Sequence, residues 1–269
     1  MRSVRAGYDA GAASPPHLRR ESTVLESLLM TVFVTLGYLL GTIPTGIVVA
    51  RMRGVDIRRS GSGNIGATNV LRSVGPLAAL VVVLVDPLKG VLAVGLPALL
   101  GVDPWIVGAT AIATVLGNTF NVFLGFKGGK GIATSMGVFL VIDPFVTLLA
   151  VVLFAITLWL ARFVSLASLI AVSGGVLMLL ARLDADPNVV AAAPKITIAF
   201  AIALIAFFSH RENVGRLRRG SERRLGEPRT DSSIATVART PSTEATDRTG
   251  TDAGGGTGDG NDLSAPPSR

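Results

Sequence analysis

The chain contains no cysteine and only two histidines, His17 and His210, among its 269 residues. The absence of cysteine excludes disulfides, thiolate-ligated metals and thiol nucleophiles, and two histidines cannot supply a histidine-rich metal site. Charged residues make up only 16% of the chain, far less than the charged surface of a soluble domain needs. The sequence therefore disfavours metal catalysis, and we expect no metal and no cofactor.

Long apolar runs take the place of a charged surface, since 49% of the residues are hydrophobic and the mean hydropathy is +0.57. A helix of about 20 apolar residues crosses a bilayer. The run that begins at residue 132 is too long for one helix, and Asp143-Pro144 divides it. We interpret the runs as seven spans: 28–50, 76–100, 105–126, a short one beginning at residue 132, 145–161, 164–180 and 192–209. This pattern predicts an all-α polytopic membrane protein.

The basic residues favour one orientation of the predicted spans. With seven spans, the loop 51–75, Lys127, Lys130, Arg162 and the cluster 211–224 all fall on one side of the membrane. The positive-inside rule then places the N-terminus outside and the C-terminus in the cytoplasm. Topology accounts for the isoelectric point near 10.7 better than nucleic-acid binding does, so we expect no nucleic acid as a partner.

The two ends of the chain differ from its middle in composition. Residues 1–26 are polar and are interpreted as a disordered leader, without the small-residue site at which signal peptides are cleaved. Residues 27–224 form the predicted seven-helix membrane domain. Residues 225–269 carry seven acidic residues against four arginines and little to bury, which predicts a disordered cytoplasmic tail.

Three polar segments fall on the predicted cytoplasmic side. The first polar segment, residues 60–72, reads S-G-S-G-N-I-G-A-T-N-V-L-R. Ser62, Asn64 and Asn69 supply hydroxyl and amide groups, and the Arg72 guanidinium suits a phosphate or carboxylate. The G-x-G-x-x-G spacing within the segment is a weak signal, because no strand precedes it. A tight glycine-rich turn before a helix is the alternative interpretation.

The second polar segment, residues 126–134, reads F-K-G-G-K-G-I-A-T. Its glycines leave backbone N–H groups accessible, and its lysines add positive charge, so the segment predicts a cradle for an anion such as phosphate. It does not match the nucleotide-binding loop, because Leu124 stands at the first glycine position and Gly131 follows Lys130 where Ser or Thr is required. A turn that merely obeys the positive-inside rule is the alternative.

The third polar segment, residues 210–222, reads H-R-E-N-V-G-R-L-R-R-G-S-E. At helical spacing His210, Asn213 and Arg216 share one face, which carries an imidazole, an amide and a guanidinium. The alternative is a basic juxtamembrane helix that binds anionic lipid headgroups. Farther from these segments, Asp86 and Lys89 stand three residues apart and are expected to pair inside the bundle.

Together with D-P-L-K-G at residues 86–90, the three polar segments resemble the bacterial acyl-phosphate glycerol-3-phosphate acyltransferases, the PlsY family. The resemblance extends over residues 28–224. It implies a seven-helix enzyme of the bacterial plasma membrane that moves a fatty acyl group from acyl phosphate to the 1-hydroxyl of sn-glycerol 3-phosphate. Lysophosphatidic acid and phosphate would be the products, and the bilayer and these small molecules the partners. The oligomeric state is left open.

The resemblance also implies roles for particular residues. His210, Asn213, Arg72 and Ser62 would be catalytic, with Arg72, Ser62 and Asn64 holding phosphate near the reacting carbonyl. The proton acceptor stays open between His210 and a substrate phosphate. The implied substrate-binding residues are Asn64, Asn69, Lys127, Gly128, Gly129, Lys130, Gly131, Ser165 and Ser168. Helix capping is an equally good interpretation of the two serines.

The sequence departs from the family pattern just before the second polar segment. The family's G-H-x-F-P is here Gly117-Asn118-Thr119-Phe120-Asn121. An asparagine cannot exchange protons near neutral pH, so no acid-base role is expected at Asn118.

A different function, transport of a phosphorylated or anionic solute, would also use several spans and a broken helix. The gathering of polar residues at one face favours the enzyme.

Overall fold

The structure, a computed structural model, describes residues 16–182 and 189–227. Within these two stretches all regular structure is helical. The helices are α1 (Pro16–Gly41), α2 (Thr45–Arg51), α3 (Ala67–Ser73), α4 (Pro76–Leu99), α5 (Pro104–Thr119), α6 (Ile132–Ile142), α7 (Pro144–Ala161), α8 (Val164–Ala181), α9 (Val189–Ser209) and α10 (Arg211–Arg218). A 3₁₀ turn (Val122–Leu124) follows α5. The prediction of an all-α fold is confirmed.

Six stretches of the described chain are long and apolar enough to cross a membrane: 23–51, 76–99, 104–124, 144–161, 164–181 and 192–209. They correspond to six of the seven predicted spans. The short predicted span is α6, whose 11 residues rise only about 16 Å, roughly half of a hydrocarbon core. On α7, Leu148 and Trp159 are 62% and 80% exposed, as lipid-facing side chains are. The chain is a multi-pass membrane protein, and seven spans with an outside N-terminus remain a prediction.

Two predicted boundaries differ from the structure. Helix α1 begins at Pro16, so residues 16–26 belong to a helix and not to a disordered leader. Proline is favoured in the first helical turn and no breaker follows it, so the helix can extend beyond the apolar run. The α-helix of the predicted third span ends at Thr119 and its apolar stretch at Leu124, not at Phe126, because Asn121 accepts a hydrogen bond from the Phe123 N–H and starts a new turn. The predictions for residues 1–15 and 228–269 lie outside the described residues.

The break between α1 and α2 is held by a buried ion pair. Lys89 donates to a carboxylate oxygen of Asp86 and to the carbonyl oxygen of Ile43, both at 2.6 Å. The Lys89 side chain is 3% exposed and that of Asp86 13%. The expected pairing of these two residues is confirmed. The break at Pro44 interrupts the helical hydrogen bonds, and the Ile43 carbonyl oxygen accepts from the Lys89 ammonium. Backbone groups inside an apolar medium need such partners.

Helices α4 and α6 cross at backbone contact distance. A Cβ atom at Gly137 would lie 1.9 Å from the carbonyl oxygen of Pro87, and one at Gly90 would lie 2.3 Å from that of Thr134. Small residues permit this approach in membrane bundles, where packing replaces the hydrophobic effect. The crossing fixes the beginning of α6, and with it the second polar segment, against the body of the bundle.

A second ionic cluster lies at the far end of α6. Asp143 caps α7 by accepting from the Val146 N–H at 3.2 Å. Its carboxylate accepts from Arg182 at 3.2 Å and lies 3.8 Å from the ammonium of Lys195. This cluster ties the turn between α6 and α7 to the end of α8 and to α9. We call it the outer ionic cluster.

Candidate active site

The three polar segments meet around one cavity of about 830 Å³. Helices α4 to α9 supply its remaining walls. All the residues that the sequence predicts for the site line this cavity: Ser62, Asn64, Asn69, Arg72, Lys127, Gly128, Gly129, Lys130, Gly131, Ser165, Ser168, His210 and Asn213. Segments that lie far apart in the sequence thus form one site, while the role of each residue remains a prediction.

Asn69 organises the first polar segment from within. Its amide nitrogen donates to the carbonyl oxygens of Ile57, Ser60 and Asn64 at 3.3, 2.9 and 2.8 Å. Its amide oxygen accepts from the Ser62 N–H at 2.9 Å. The side chain is only 3% exposed, so its hydrogen-bonding groups are used inside the segment. Asn69 therefore positions Ser62 and Asn64 in this arrangement, whereas the sequence predicted that it binds substrate.

The second polar segment differs from the predicted anion cradle in its backbone. The N–H groups of Gly128 and Gly129 donate to the carbonyl oxygens of Thr119 and Asn118 at 3.0 and 2.9 Å. A Cβ atom at Gly128 would lie 2.1 Å from the Asn118 carbonyl oxygen. These two glycines permit close packing on the end of α5, and their N–H groups are not free for an anion.

The start of α6 retains free donors at the cavity wall. Gly131 is the N-cap residue at φ +76°, and no side chain caps the helix. Helix α6 therefore presents first-turn N–H groups, from residues that line the cavity, without a capping side chain. Uncapped N–H groups and the helix dipole together favour an anion. The anion-binding capacity of this segment lies at its helical end and in Lys130.

Lys130 reaches the third polar segment through a chain of hydrogen bonds. Its ammonium donates to the Asn213 amide oxygen, and the Asn213 amide nitrogen donates to Glu222, each at 2.5 Å. Glu222 also accepts from the Ser165 hydroxyl and from the Arg216 guanidinium, both at 2.7 Å. The Glu222 side chain is 8% exposed. The carboxylate thus joins α8, α10 and the second polar segment.

The sequence did not assign a role to Glu222. Burial would raise the pKa of its carboxyl, but the hydrogen bonds from Ser165, Asn213 and Arg216 outweigh burial and lower it. The carboxylate is therefore ionised in the neutral range. The available signal was one acidic residue between two arginine pairs, Arg218-Arg219 and Arg223-Arg224, but only the folded chain shows what that acid contacts.

Burial lowers the pKa of Lys130 from its ordinary value to about 8, with Glu222 acting in the opposite direction. At pH 7 the ammonium is still the major form. It makes a single hydrogen bond, to a neutral amide. Glu222 is hydrogen-bonded to this ammonium only through Asn213, so the ammonium can still attract an anion at the cavity.

His210 presents one nitrogen as an acceptor. Its Nδ1 lies 2.8 Å from the carbonyl oxygen of Ala206, and because a carbonyl only accepts, the proton sits on Nδ1 and Nε2 is unprotonated. Burial and the nearby charge of Lys130 lower the pKa of His210 to about 4. The imidazole is therefore neutral at pH 7, an acceptor of hydrogen bonds but a weak base.

A segment after α10, residues 219–227, lies beside the polar end of the cavity. Arg72 contacts the carbonyl oxygens of Arg223 and Arg224 at 3.4 and 3.5 Å, which are long hydrogen bonds. The Arg162 guanidinium donates to the carbonyl oxygen of Leu225 at 3.0 Å, and the Arg162 carbonyl oxygen accepts from the Leu225 N–H at 2.7 Å. The ordered chain therefore extends past residue 224, where the predicted tail begins.

The two asparagines that depart from the family pattern both make hydrogen bonds within the bundle, and Asn118 also lines the cavity. Asn118 is buried and donates to the Thr134 hydroxyl at 3.1 Å. Asn121 donates to the carbonyl oxygen of Thr42 at 2.5 Å. They join the end of α5 to α6 and to the break after α1.

Within residues 16–182 and 189–227, no three His, Asp or Glu side chains come together as a possible metal site.

The sequence model of a family described as glycerol-3-phosphate acyltransferase matches residues 31–220. The chain belongs to this family. The matched range contains the first two polar segments and most of the third. Among glycerol-3-phosphate acyltransferases, a relative from Thermus thermophilus is 44% identical over 192 residues, covering 71% of this chain and 93% of the relative. One from Geobacter sulfurreducens is 43% identical over 203 residues, covering 75% and 99%.

Two solved structures share the fold of this chain. Both are crystal structures of PlsY, an integral membrane glycerol 3-phosphate acyltransferase. The glycerol 3-phosphate form is 36% identical with a TM-score of 0.67 and covers 77% of this chain and 98% of its own. The lysophosphatidic acid form is 39% identical with a TM-score of 0.65 and covers 73% and 95%. The resemblance that the polar segments carry is confirmed.

Proposed function

We propose that this chain transfers a fatty acyl group from acyl phosphate to the 1-hydroxyl of sn-glycerol 3-phosphate, producing lysophosphatidic acid and inorganic phosphate. The observation that carries the proposal is a single cavity that is cationic at one end and apolar at the other. Two phosphate-bearing substrates require the cationic end, and an acyl chain requires the apolar one. Structural neighbours in a glycerol 3-phosphate form and a lysophosphatidic acid form support the acceptor and the product.

The acceptor phosphate binds at Lys130 and at the first turn of α6. Lys130 offers an ammonium with one neutral partner, and α6 offers uncapped N–H groups. Lys127 is exposed at the rim and adds charge without a fixed contact. Gly128 and Gly129 serve this site by letting the loop pack on α5, and Gly131 by turning the chain into α6.

The donor phosphate binds at Arg72, Ser62 and Asn64. The carbonyl contacts of Arg72 at 3.4 and 3.5 Å are weaker than the charge-assisted hydrogen bonds that a phosphate oxygen offers. The guanidinium therefore exchanges these contacts for the donor. In that position it also stabilises the charge that develops on the reacting carbonyl oxygen.

Acyl phosphate is already activated, so neither an acyl-enzyme nor a metal is needed. The 1-hydroxyl oxygen attacks the carbonyl carbon, the bond from that carbon to the phosphate oxygen breaks, and the hydroxyl proton ends on the phosphate. His210 orients the hydroxyl, because its Nε2 accepts a hydrogen bond. Since the pKa of His210 is about 4, a phosphate oxygen is the better proton acceptor.

We place the enzyme in the bacterial plasma membrane with the cavity's polar end facing the cytoplasm. The basic loops lie at this end, and the positive-inside rule assigns such loops to the cytoplasm. The alternative function, transport of an anionic solute, requires a path across the bundle. The buried residues Val146, Ala199 and Ile202 line the other end of the cavity and oppose such a path.

The proposal is tested with the purified full chain in lipid nanodiscs, supplied with palmitoyl phosphate and glycerol 3-phosphate. Release of inorganic phosphate together with an equal amount of lysophosphatidic acid is expected. Phosphate release without the lipid product would indicate hydrolysis only and would refute acyl transfer. Uptake of labelled glycerol 3-phosphate into proteoliposomes, without any product, would support the transporter instead.

A further inference from the structure

The apolar end of the cavity runs deep between α7, α8 and α9. On α8 the lining residues recur every three to four positions, from Ser165 and Ser168 to Gly175 and Val176, and so form one continuous stripe. Opposite it, α7 contributes Val146, Thr147, Ala150, Val151 and Phe154, and α9 contributes Ala199 and Ile202. The stripe leads away from Glu222, which Ser165 contacts.

This end of the cavity is closed. Val146, Ala199 and Ile202 are only 2%, 3% and 2% exposed. Val146 and Ala199 belong to a buried cluster with Leu179. Farther along α7 and α8 in the same direction lies the outer ionic cluster of Asp143. A chain that enters from the polar end therefore meets packed side chains.

The depth of the closed end fits a chain of limited length. Ser165 and Val176 both line the cavity, and a helix of this length rises about 16 Å. An extended alkyl chain advances roughly 1.3 Å per carbon, given C–C bonds of about 1.5 Å. The stripe therefore accommodates on the order of 12 carbons at this rise.

Gly175 controls how far the cavity extends. A Cβ atom at this position would lie 3.5 Å from Cγ1 of Val146, an ordinary contact distance, with no other atom within 4 Å. A larger side chain at Gly175 would therefore project toward Val146 and fill the closed end. Conversely, a smaller side chain in place of Val146 would deepen it.

We propose that Gly175 and Val146 form a stop that determines which acyl-chain length this enzyme transfers fastest. The inference rests on the proposed function, because it concerns the donor of that reaction. A competing path exists through the wall between α6 and α7, where Met136 and Val151 are 38% and 41% exposed. A chain that left the cavity there would enter the bilayer and would not reach the stop.

The experiment measures kcat/KM for octanoyl, dodecanoyl and palmitoyl phosphate with the full chain in nanodiscs. Gly175→Leu is expected to lower the value for dodecanoyl phosphate by about tenfold or more, the effect of one or two displaced methylenes. The value for octanoyl phosphate should stay within about twofold. Val146→Ala should shift the profile toward the longest donor.

Gly95→Leu is the matched control. It adds the same side chain to a membrane helix at a position where a Cβ atom meets only Val141, at 3.9 Å, and outside the cavity lining. Its chain-length profile should equal that of the wild type. If Gly175→Leu fails to fold, Gly175→Ala and Val146→Ala still test the stop from both directions.

The possible failures are distinct. If the wild type transfers no acyl group from any donor, the proposed function is wrong. If it transfers acyl groups but the profiles of Gly175→Leu and Val146→Ala match that of Gly95→Leu, the stop is wrong. In that second case the acyl chain leaves between α6 and α7.

Discussion

Two lysines with little contact with solvent, Lys89 and Lys130, occupy very different surroundings. The ammonium of Lys89 contacts the carboxylate of Asp86 and a backbone carbonyl, both at 2.6 Å. Among the residues that the structure describes, the ammonium of Lys130 hydrogen-bonds only to the neutral amide of Asn213, and the carboxylate of Glu222 lies one hydrogen bond farther away. The charge of Lys89 is neutralised in place, whereas that of Lys130 is retained.

The difference separates a lysine whose charge is neutralised inside the fold from one whose charge stays available to a ligand. A direct ion pair inside an apolar bundle leaves neither charge available. The Asn213 amide, which lies between Lys130 and Glu222, keeps Lys130 in position, and the positive charge of Lys130 still acts on the cavity. The burial of a cation therefore says little about its role until its nearest acceptor is known.

The largest effect on activity is expected from Lys130→Met. This change removes the cation, and kcat/KM for glycerol 3-phosphate should fall roughly 10²–10³-fold, as when one electrostatic donor is lost from a site. The melting temperature, followed by tryptophan fluorescence, should change little. A loss of less than threefold would show that Lys130 does not bind substrate.

Lys89→Met should act on stability instead. It leaves the carboxylate of Asp86 buried without its cation, which costs about 3 kcal/mol or more when a buried pair is broken. The free energy of unfolding is measured in mixed detergent micelles. The double variant Asp86→Asn, Lys89→Met should recover part of the loss, and no recovery would contradict the pairing.

His210→Ala should lower kcat by roughly tenfold or more, the effect of losing one hydrogen bond to the reacting hydroxyl, with the protein still folded. Because the pKa of His210 is about 4, the imidazole stays neutral at pH 5.5. The wild-type profile of kcat/KM should therefore show no loss near pH 6.5 that disappears in the variant. If the wild type did lose activity near pH 6.5 and His210→Ala did not, His210 would be a base with an ordinary pKa.

Glu222→Gln should move the alkaline side of the profile. The ammonium of Lys130 is present below its pKa of about 8, so wild-type kcat/KM should fall as the pH rises through that value. The Glu222 carboxylate raises the Lys130 pKa, and its neutralisation should shift the fall to lower pH. Glu212→Gln, at a carboxylate that is 76% exposed, is the control and should shift it less. If Glu222→Gln left the pH of this fall unchanged, the Glu222 carboxylate would not influence the pKa of Lys130.

The smallest effect is expected from Lys127→Met. This lysine is exposed at the cavity rim, where solvent screens its charge. The value of kcat/KM should fall only about twofold and the difference should disappear at high salt. A loss as large as that of Lys130→Met would mean that the two lysines share the substrate.

The elements that the sequence predicted well are those with strong local signals. The membrane helices follow from apolar runs, and the break at Pro144 follows from proline chemistry. The three polar segments were also predictable, because charge asymmetry places them on one side of the membrane. Their meeting around a single cavity agrees with that placement.

The remaining features depend on tertiary contacts that no local pattern encodes. The N–H groups of Gly128 and Gly129 seemed free because their hydrogen bonds to the carbonyl oxygens of residues 119 and 118 are not visible in either segment alone. In the sequence alone, Glu222 is one more charged residue in the basic cluster 211–224. The closed apolar end requires α7, α8 and α9 to be positioned together, and Gly175 alone carries no signal of it.

The chain of contacts from Lys130 through Asn213 to Glu222 also has a consequence for biosynthesis. The ribosome delivers Lys130 long before Asn213 and Glu222, so an unfinished chain holds the lysine without the amide and the acid that position it. These contacts form only after residue 222 has been released. A chain truncated before residue 222 would therefore be inserted with Lys130 in place but without Glu222, and we expect it to lack the proposed activity.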